Sequence, residues 1–290
     1  MQRDEGFPTG DKDDRDAFFP ALQVQFPNTI FRLSGEISNQ KTAGAPLGFF
    51  TPDVSQLYVG SDKGRNQLWK EDWSYAHFSR SKVRFDVEHR FNDNWEAHLV
   101  YFRSNYDRKD RDVRPAGNPN FTTRTWAQQF FFNGTDALLN VFSLDLVGKY
   151  ELFGLSHESF LGLYADRLSN DRYRSWYPMS SISIDNPVFN RIRPSAPAGA
   201  DAPGNSGRGD TGHISYSHTL NLFDKKLALV AGFGRNYVQN QDYNAVAGGP
   251  PTFDQTVRET THRFGVVYRP MKSVSFFANN SSTFLPQTNQ

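Results

Sequence analysis

Cysteine is absent from this chain of 290 residues. A disulfide scaffold, a zinc site with cysteine ligands and a thiol nucleophile are therefore excluded. The chain also lacks an excess of either charge, because 32 lysines and arginines stand against 31 aspartates and glutamates. A nucleic-acid-binding protein normally carries a strong basic excess, so we expect no nucleic-acid partner.

Long apolar stretches are missing as well. No run approaches the ~20 apolar residues of a transmembrane helix, and the mean hydropathy is -0.64. The opening residues, Met-Gln-Arg-Asp-Glu-Gly, lack the apolar segment of a secretory signal peptide. Aromatic residues are nevertheless plentiful, at 15% of the chain. Because disordered chains are poor in aromatics, we expect a folded protein, either a soluble two-sheet protein or an outer-membrane barrel.

Strand patterns dominate what is present. From Val83 to Phe91 the odd positions are mostly apolar and the even positions are all charged, a pattern typical of a strand with two unlike faces. Asn92-Asp93-Asn94 has the composition of a tight turn, and a second alternating segment runs from Trp95 to Tyr101. Four more such pairs bring the prediction to about ten strands in five hairpins. These pairs lie within 22–37, 142–165, 214–233 and 264–278.

The connections alternate in length. The turns inside the hairpins, near residues 28, 93, 155, 224 and 271, are short. The connections between hairpins are long, and they are predicted at 39–79, 107–136, 168–211 and 239–258. Outer-membrane barrels have short periplasmic turns and long extracellular loops. The sequence therefore predicts an all-β fold, an antiparallel transmembrane β-barrel segment.

The charged face of these strands indicates the width of the barrel. Burying so many ions in a tight core would cost several kcal/mol for each one. A barrel of about eight strands is just wide enough to be filled by side chains. We therefore expect a wider barrel, in which these charges face lumen water or a polar plug. The predicted lumen-facing or plug-facing residues are Arg84, Asp86, Glu88, Arg90, Asp145, Lys149, Glu151, Arg263 and Arg269.

Five segments, in the right order along nearly the whole chain, resemble the barrel of the TonB-dependent ferric-siderophore receptors. Phe18 to Ser38, FFPALQVQFPNTIFRLSGEIS, is similar to the family hairpin P-x-L-x-W-x-P…T-L-x-L-x-G-E-Y. Phe91 to Trp95 matches the turn L-N-D-N-W, and LDLVGKYE at 144–151 matches L-D-L-x-G-K-F. SIDNPVFN at 183–190 resembles a common loop sequence of these receptors, and the stretch 261–284 matches a further hairpin.

The resemblance implies a plug domain followed by a barrel of about 22 strands. On this basis residues 1–290 are expected to be a partial barrel domain without a plug, incomplete at both ends. The implied location is the outer membrane of a Gram-negative bacterium. The implied partners are a ferric siderophore, outer-membrane lipid and TonB, which acts through the plug. Iron would be carried inside its chelate, so neither a protein metal site nor a cofactor is expected, and the chain alone is expected not to transport.

A cluster of rings and arginines is the candidate ligand site. It consists of Arg172, Tyr173, Arg174, Trp176 and Tyr177, in a predicted extracellular loop. These side chains could stack on an anionic ferric chelate and pair with its charge. Alternatively, they could be interface aromatics accompanied by solvated arginines.

Other functional classes have weaker support. There is no nucleophile elbow, phosphate loop or His-Glu-x-x-His motif, so we expect no catalytic residues and no enzyme. The alternatives to a receptor are a porin-like passive barrel, an adhesin barrel and an outer-membrane protease. A protease would need acids and a histidine together at its rim, and Asp166, Asp171 and His213 are the candidates.

Overall fold

The computed structural model describes residues 2–5, 12–42, 71, 73–117, 119–183, 188, 192–193, 195, 204–244 and 250–284. Its twelve strands form one antiparallel sheet. No helix among these residues has the length and apolar character of a membrane span. The strands are β1 (Gln2–Glu5), β2 (Lys12–Phe18), β3 (Ala21–Phe26), β4 (Thr29–Thr42), β5 (Tyr75–Asn92), β6 (Trp95–Pro115), β7 (Thr125–Leu152), β8 (Leu155–Ser183), β9 (Asn205–Leu222), β10 (Leu227–Asn244), β11 (Phe253–Met271) and β12 (Val274–Ser281).

Neighbours in the sheet follow the order of the chain. The path is β1-β2-β4-β5-β6-β7-β8-β9-β10-β11-β12, with β3 also paired to β4. Thus β2 and β3 are successive pieces of one line beside β4, separated at Phe19-Pro20. The Gly35 N–H donates to the Pro20 carbonyl across this break, at 2.8 Å. All five predicted hairpins are present, and the all-β antiparallel prediction is confirmed.

Tight turns join the strands of each hairpin. They occupy 27–28, 93–94, 153–154, 223–226 and 272–273. At the second turn the Asn92 side-chain oxygen accepts hydrogen bonds from the backbone N–H groups of Asn94 and Trp95, at 2.8 and 3.0 Å. At the third, Phe153 and Gly154 both have positive φ, 54° and 74°. Positive φ at both central residues is the geometry of a type I′ turn, which suits the twist of a hairpin.

The strands extend farther than the sequence pattern predicted. β6 ends at Pro115 and β7 begins at Thr125, so most of the predicted connection 107–136 is paired strand. Much of 168–211 and 239–258 is likewise strand, in β8, β9, β10 and β11. Residues 43–70, and the matched segment 183–190 except Ser183 and Val188, lie outside the described residues. We call the end of the sheet that carries these connections the upper end, and the hairpin-turn end the lower end.

The sheet has an apolar face and a polar face. Because paired residues share a face and neighbours along a strand alternate, the register assigns each side chain to one of them. Large apolar side chains on the first face are exposed, including Leu22 at 60% and Phe264 at 56%. Together these side chains form what we call the apolar band. Its members are Leu22, Val24, Phe26, Phe31, Leu33, Ile37, Val83, Phe85, Val87, Ala97, Leu99, Tyr101, Phe142, Leu144, Leu146, Leu161, Leu163, Ala165, Ile214, Tyr216, Leu220, Leu229, Ala231, Phe233, Phe264, Val266, Tyr268, Phe276 and Ala278.

The apolar band crosses the strands obliquely. Its upper edge is Ile37 in β4, and successive pairings lead from Ile37 to Asp254 in β11. In β11 the upper edge is Phe264, ten residues farther down. A rise of about 3.3 Å per residue and a spacing of about 4.8 Å over seven strand steps give a tilt of about 45°. This tilt matches the roughly 35–45° of transmembrane barrels.

A hydrogen-bond chain lies in the lower half of the apolar band. His157 Nε2 donates to the Leu152 carbonyl at 3.3 Å, so its Nδ1 accepts from His218 Nε2 at 3.0 Å. His218 Nδ1 in turn accepts from Ser159 Oγ at 2.9 Å, and Ser159 accepts from the Tyr150 hydroxyl at 3.2 Å. Each polar group of the chain therefore finds a partner within the sheet, as an apolar surrounding requires.

Candidate ligand-binding face

The predicted lumen-facing charges all follow the parity of the polar face. Glu88 pairs in register with His98, which pairs with Asp145, and Lys149 pairs with Glu158. The same alternation assigns Arg84, Asp86, Arg90, Glu151, Arg263 and Arg269 to this face. The sheet therefore collects charges that are far apart in sequence onto one surface.

Several of these charges neutralise one another at the level of the apolar band. Arg84 donates two hydrogen bonds to Asp86, at 2.7 and 2.8 Å, and only 7% of Asp86 is exposed. Arg32 and Glu88 form a second ion pair at 2.5 Å. The first pair lies along β5 and the second joins β4 to β5, and in each pair the two charges satisfy each other. This region is therefore polar without carrying a large net charge.

The predicted cluster 172–177 divides between the two faces. These residues belong to β8 rather than to an irregular loop, because β8 continues to Ser183. Arg172, Arg174 and Trp176 lie on the polar face, whereas Tyr173 and Tyr177 lie on the face of the apolar band. The five side chains therefore do not form one surface, because strand neighbours point to opposite sides.

Tyr173 has a packing role. Only 4% of it is exposed, and it lies in a cluster with Phe130 and Phe132, which are 1% and 2% exposed. Its ring centroid is 6.0 Å from that of Phe132, and Trp73 contacts Phe130 at 5.5 Å. The most buried side chains of the described chain thus lie above the apolar band.

The upper polar face combines arginines and rings. Trp176 packs on Phe131, with ring centroids 4.1 Å apart. Across the same face Arg80 lies over the ring of Tyr106 at 5.6 Å, and Arg108 lies over Phe78 at 5.1 Å.

The arginines of the upper polar face differ in their ion pairing. Arg108 is neutralised by Asp110 at 2.8 Å. Among the residues that the structure describes, Arg80, Arg172 and Arg174 pair with no carboxylate. This surface therefore presents cations and π-faces to a ligand.

The residues considered for a protease are not brought together. Asp166 and His213 lie on the polar face, but Asp171 lies on the opposite one. His213 Nδ1 is hydrogen-bonded to the Asn236 side-chain oxygen at 2.7 Å. Within the described ranges, no group of three or more histidine, aspartate or glutamate side chains is placed so that it could hold a metal ion. The three protease candidates therefore form no common site.

A row of carboxylates above the apolar band was not predicted from the sequence. Asp107, Asp136 and Asp171 occupy directly opposed positions on β6, β7 and β8. Lys109 approaches Asp107 at 3.1 Å, and Ser206 donates to Asp171 at 2.5 Å. The hydrogen bond that the protonated Asp136 carboxyl donates to Asp107, together with burial and the charge of Asp107, raises the pKa of Asp136 to about 6. Only the strand register could reveal this row, since its members are remote in sequence.

Stability should depend on pH through Asp136. Its folded-state pKa lies above the unfolded value of about 3.9, so its protonated form is favoured by folding. The stabilisation is complete below pH ~4 and is lost as the pH rises through ~6. We expect D136N to unfold at higher urea concentration than wild type at pH 7.5, with the difference vanishing near pH 4.

The matched control is D254N. The amides of Gln239 and Gln241 hold the Asp254 carboxylate at 3.0 Å each and lower its pKa. Stability from Asp254 is therefore present at neutral pH and lost on acidification, so D254N should gain nothing at pH 7.5. Equal urea midpoints for D136N and wild type at both pH values would refute the raised pKa of Asp136.

Comparison with protein families decides the classification. Residues 15–290 match the family model described as "TonB dependent receptor-like, beta-barrel". The chain belongs to this family. Barrels of the family are outer-membrane proteins of Gram-negative bacteria. The family is one of receptors and transporters, which favours a receptor over the porin and protease alternatives.

Individual proteins also resemble this chain, one in sequence and two in fold. The chain is 24% identical over 209 residues to the metal-pseudopaline receptor CntO of Pseudomonas aeruginosa, covering 69% of this chain and 29% of CntO. BauA, the ferric preacinetobactin receptor of Acinetobacter baumannii, superposes with a TM-score of 0.67 at 16% identity, over 96% of this chain and 40% of BauA. The ferripyoverdine receptor of P. aeruginosa superposes with a TM-score of 0.66 at 16% identity, over 96% of this chain and 36% of that receptor. The chain thus spans well under half the length of each.

Proposed function

We propose that this chain is part of the barrel of an outer-membrane receptor that takes up an anionic metal chelate of the ferric-siderophore class. The apolar band faces lipid and the polar face lines the lumen. Uptake is driven by TonB acting on a plug domain of the whole receptor. The metal travels inside its chelate, so the barrel needs neither protein ligands for it nor a cofactor.

The upper polar face carries this proposal. Arg172 and Arg174 lie beside Trp176 on one strand, and neither guanidinium pairs with a carboxylate among the described residues. An anionic chelate with planar, aromatic or carboxylate groups offers both charge for the guanidinium groups and faces for stacking. We assign ligand contact to these three residues and a packing role to Tyr173.

The lower polar face has a different part in the proposal. Its nine predicted charges lie at the depth of the apolar band. Burying them in a tight apolar core would cost several kcal/mol for each ion removed from water. Lumen water or the polar surface of a plug satisfies them instead. This assignment gives Asp145, Lys149 and Arg263 no direct contact with the chelate.

A second candidate ligand class differs in the metal. The name of CntO specifies a metal complex without limiting it to iron. The arginines of the upper polar face would bind an anionic aminocarboxylate complex of another transition metal by the same charge pairing. The two candidates are separated by which chelates bind.

The test is chelate binding by R172A/R174A. We expect the double variant to bind anionic ferric catecholate and carboxylate chelates at least tenfold more weakly, because each charged hydrogen bond contributes about 1.5–3 kcal/mol. The measurement is quenching of tryptophan fluorescence in the refolded protein. Nickel and zinc aminocarboxylate complexes are titrated in parallel, and tight binding of these alone would select the second candidate.

The matched control is R167A. Arg167 lies on the same strand but on the opposite face, in an exposed ion pair with Asp210 at 2.6 Å. It should bind chelates as wild type does. Equal affinities of wild type and R172A/R174A for the anionic chelates would overturn the assignment of the ligand surface. So would a wild-type affinity for a cationic chelate equal to its affinity for the anionic ones.

A further inference from the structure

Two arginines of β10 and β11 form a patch on the face of the apolar band. Arg235 is exposed and donates from Nη1 to the Thr260 hydroxyl at 2.7 Å. Arg258, also exposed, lies over the ring of Tyr237 at 5.4 Å from its centroid. Neither arginine pairs with a carboxylate in the part of the chain that the structure describes. Both charges therefore remain available to an external anion.

The carboxylate that shares β11 and its face with Arg258 is already occupied. Asp254 lies on the same face of β11, but its two oxygens accept hydrogen bonds from the Gln239 and Gln241 amides, at 3.0 Å each. The hydroxyl of Tyr237 is likewise engaged, since it donates to the Gln239 side-chain oxygen at 2.6 Å. These contacts fix Asp254 away from the two guanidinium groups.

The patch borders the upper edge of the apolar band. Arg235 follows Phe233 by two residues on the same face, and it pairs in register with Ile214. Phe264 completes the edge on β11, and the exposed fractions of these three apolar side chains are 60%, 46% and 56%. The cations thus lie where an apolar surface ends.

Three other cations on this face, above the apolar band, pair with carboxylates. Arg167 and Arg208 share the carboxylate of Asp210, at 2.6 and 2.7 Å. Lys109 pairs with Asp107 at 3.1 Å. The patch on β10 and β11 differs from these three positions because, among the described residues, neither of its arginines pairs with a carboxylate.

The spacing of the two arginines suits one multivalent anion. Arg235 pairs with Thr260 and Arg258 pairs with Tyr237, so the arginines are diagonal neighbours on adjacent strands. Diagonal neighbours lie about 7–8 Å apart at Cα, within the reach of two long side chains converging on one group. Guanidinium groups bind phosphate through paired hydrogen bonds, which favours phosphate over a single carboxylate.

We infer that Arg235 and Arg258 bind the phosphate of an anionic lipid whose acyl chains lie on Ile214, Phe233 and Phe264. The inference rests on the proposed insertion of the apolar band into the membrane, but not on the chelate. Charge complementarity selects an anion, and continuity with the apolar band selects a lipid over a free phosphate. Basic side chains beside membrane-embedded surfaces recognise anionic headgroups in this way.

The test is lipid retention by R235A/R258A. The refolded protein in neutral detergent is mixed with bis-phosphorylated lipid A, phosphatidylcholine or inorganic phosphate, and bound molecules are counted by native mass spectrometry. We expect wild type to retain lipid A in preference to phosphatidylcholine, and R235A/R258A to retain it at least tenfold more weakly. The variant R235K/R258K, which keeps the charge but not the paired hydrogen bonds, should fall between them.

The control is R167A/R208A, which removes two arginines that both pair with Asp210 and should retain lipid A as wild type does. Equal retention by wild type and R235A/R258A would overturn the inference, as would inorganic phosphate binding as tightly as lipid A. Chelate binding is measured on the same samples. Lipid retention without chelate binding would refute the proposed ligand and leave the lipid site standing, whereas chelate binding without lipid retention would do the reverse.

Discussion

Replacing Leu146 by arginine is expected to lower the free energy of unfolding in lipid vesicles by about 2–4 kcal/mol. Leu146 lies between Ala97 and Leu161 on the apolar face, near the middle of the stretch from Phe142 to Leu152 in β7. The ten residue-to-residue steps of this stretch rise about 33 Å along the strand, or about 23 Å along the membrane normal at a 45° tilt. That height matches the ~25 Å apolar zone of an outer-membrane barrel. An arginine at its centre loses hydration with no partner in reach.

The control is the adjacent position on the other face. Val147 pairs with Glu96 on the polar face, so V147R places its charge beside a carboxylate. We expect V147R to change the urea midpoint little. If V147R proved as destabilising as L146R, or if L146R were tolerated, the assignment of the apolar face to lipid would be wrong. Tryptophan fluorescence during urea unfolding supplies the measurement.

Gly134→Ala is expected to be the second large effect, at about 1–3 kcal/mol of lost stability. Gly134 pairs directly with Tyr173, whose ring lies over it. A Cβ at Gly134 would lie 1.9 Å from Cε2 of that ring. The ring cannot simply move aside, because Tyr173 is buried against Phe132. The upper aromatic cluster would therefore have to open.

A double-mutant cycle tests this reason. In a Tyr173→Ala background the obstructing ring is gone, so Gly134→Ala should cost almost nothing. Gly212→Ala is the matched control, since its nearest neighbour would be Cβ of Tyr237 at an ordinary 3.8 Å. Additive effects of the Gly134 and Tyr173 substitutions would show that the Tyr173 ring is not what excludes a side chain at position 134. Unchanged chelate binding in Tyr173→Ala would also agree with its packing role.

The sequence was most informative where the two faces of a strand differ. The alternation from Val83 to Phe91, the turn at 92–94 and the segment that follows predicted β5, β6 and their hairpin correctly. The same logic failed above the apolar band. There β6 is polar on both faces, so it continues through Asp107, Lys109 and Arg111 without any periodic hydrophobic signal. Backbone pairing persists, but a single sequence carries no trace of it.

The candidate site shows the same limit. Composition drew attention to the segment 172–177, but treating it as a loop predicted one surface where strand alternation creates two. Arg172 and Arg174 lie on the polar face proposed for ligand contact, whereas Tyr173 belongs to a buried cluster on the other face. The carboxylate row of Asp107, Asp136 and Asp171 needed the register of three strands before it could be recognised.

By itself the sequence determined the strand class, the five hairpins and the charged face, because period-two alternation and turn composition are local properties of the chain. The family came instead from five segments that resemble its barrel and from the family model that matches residues 15–290. The tertiary structure decided the lengths of the strands, their tilt, the division of residues 172–177 and the exposed arginine pair Arg235 and Arg258. These depend on register between strands that are distant in sequence. One register step moves every side chain to the other face, and no local pattern specifies that choice above the apolar band.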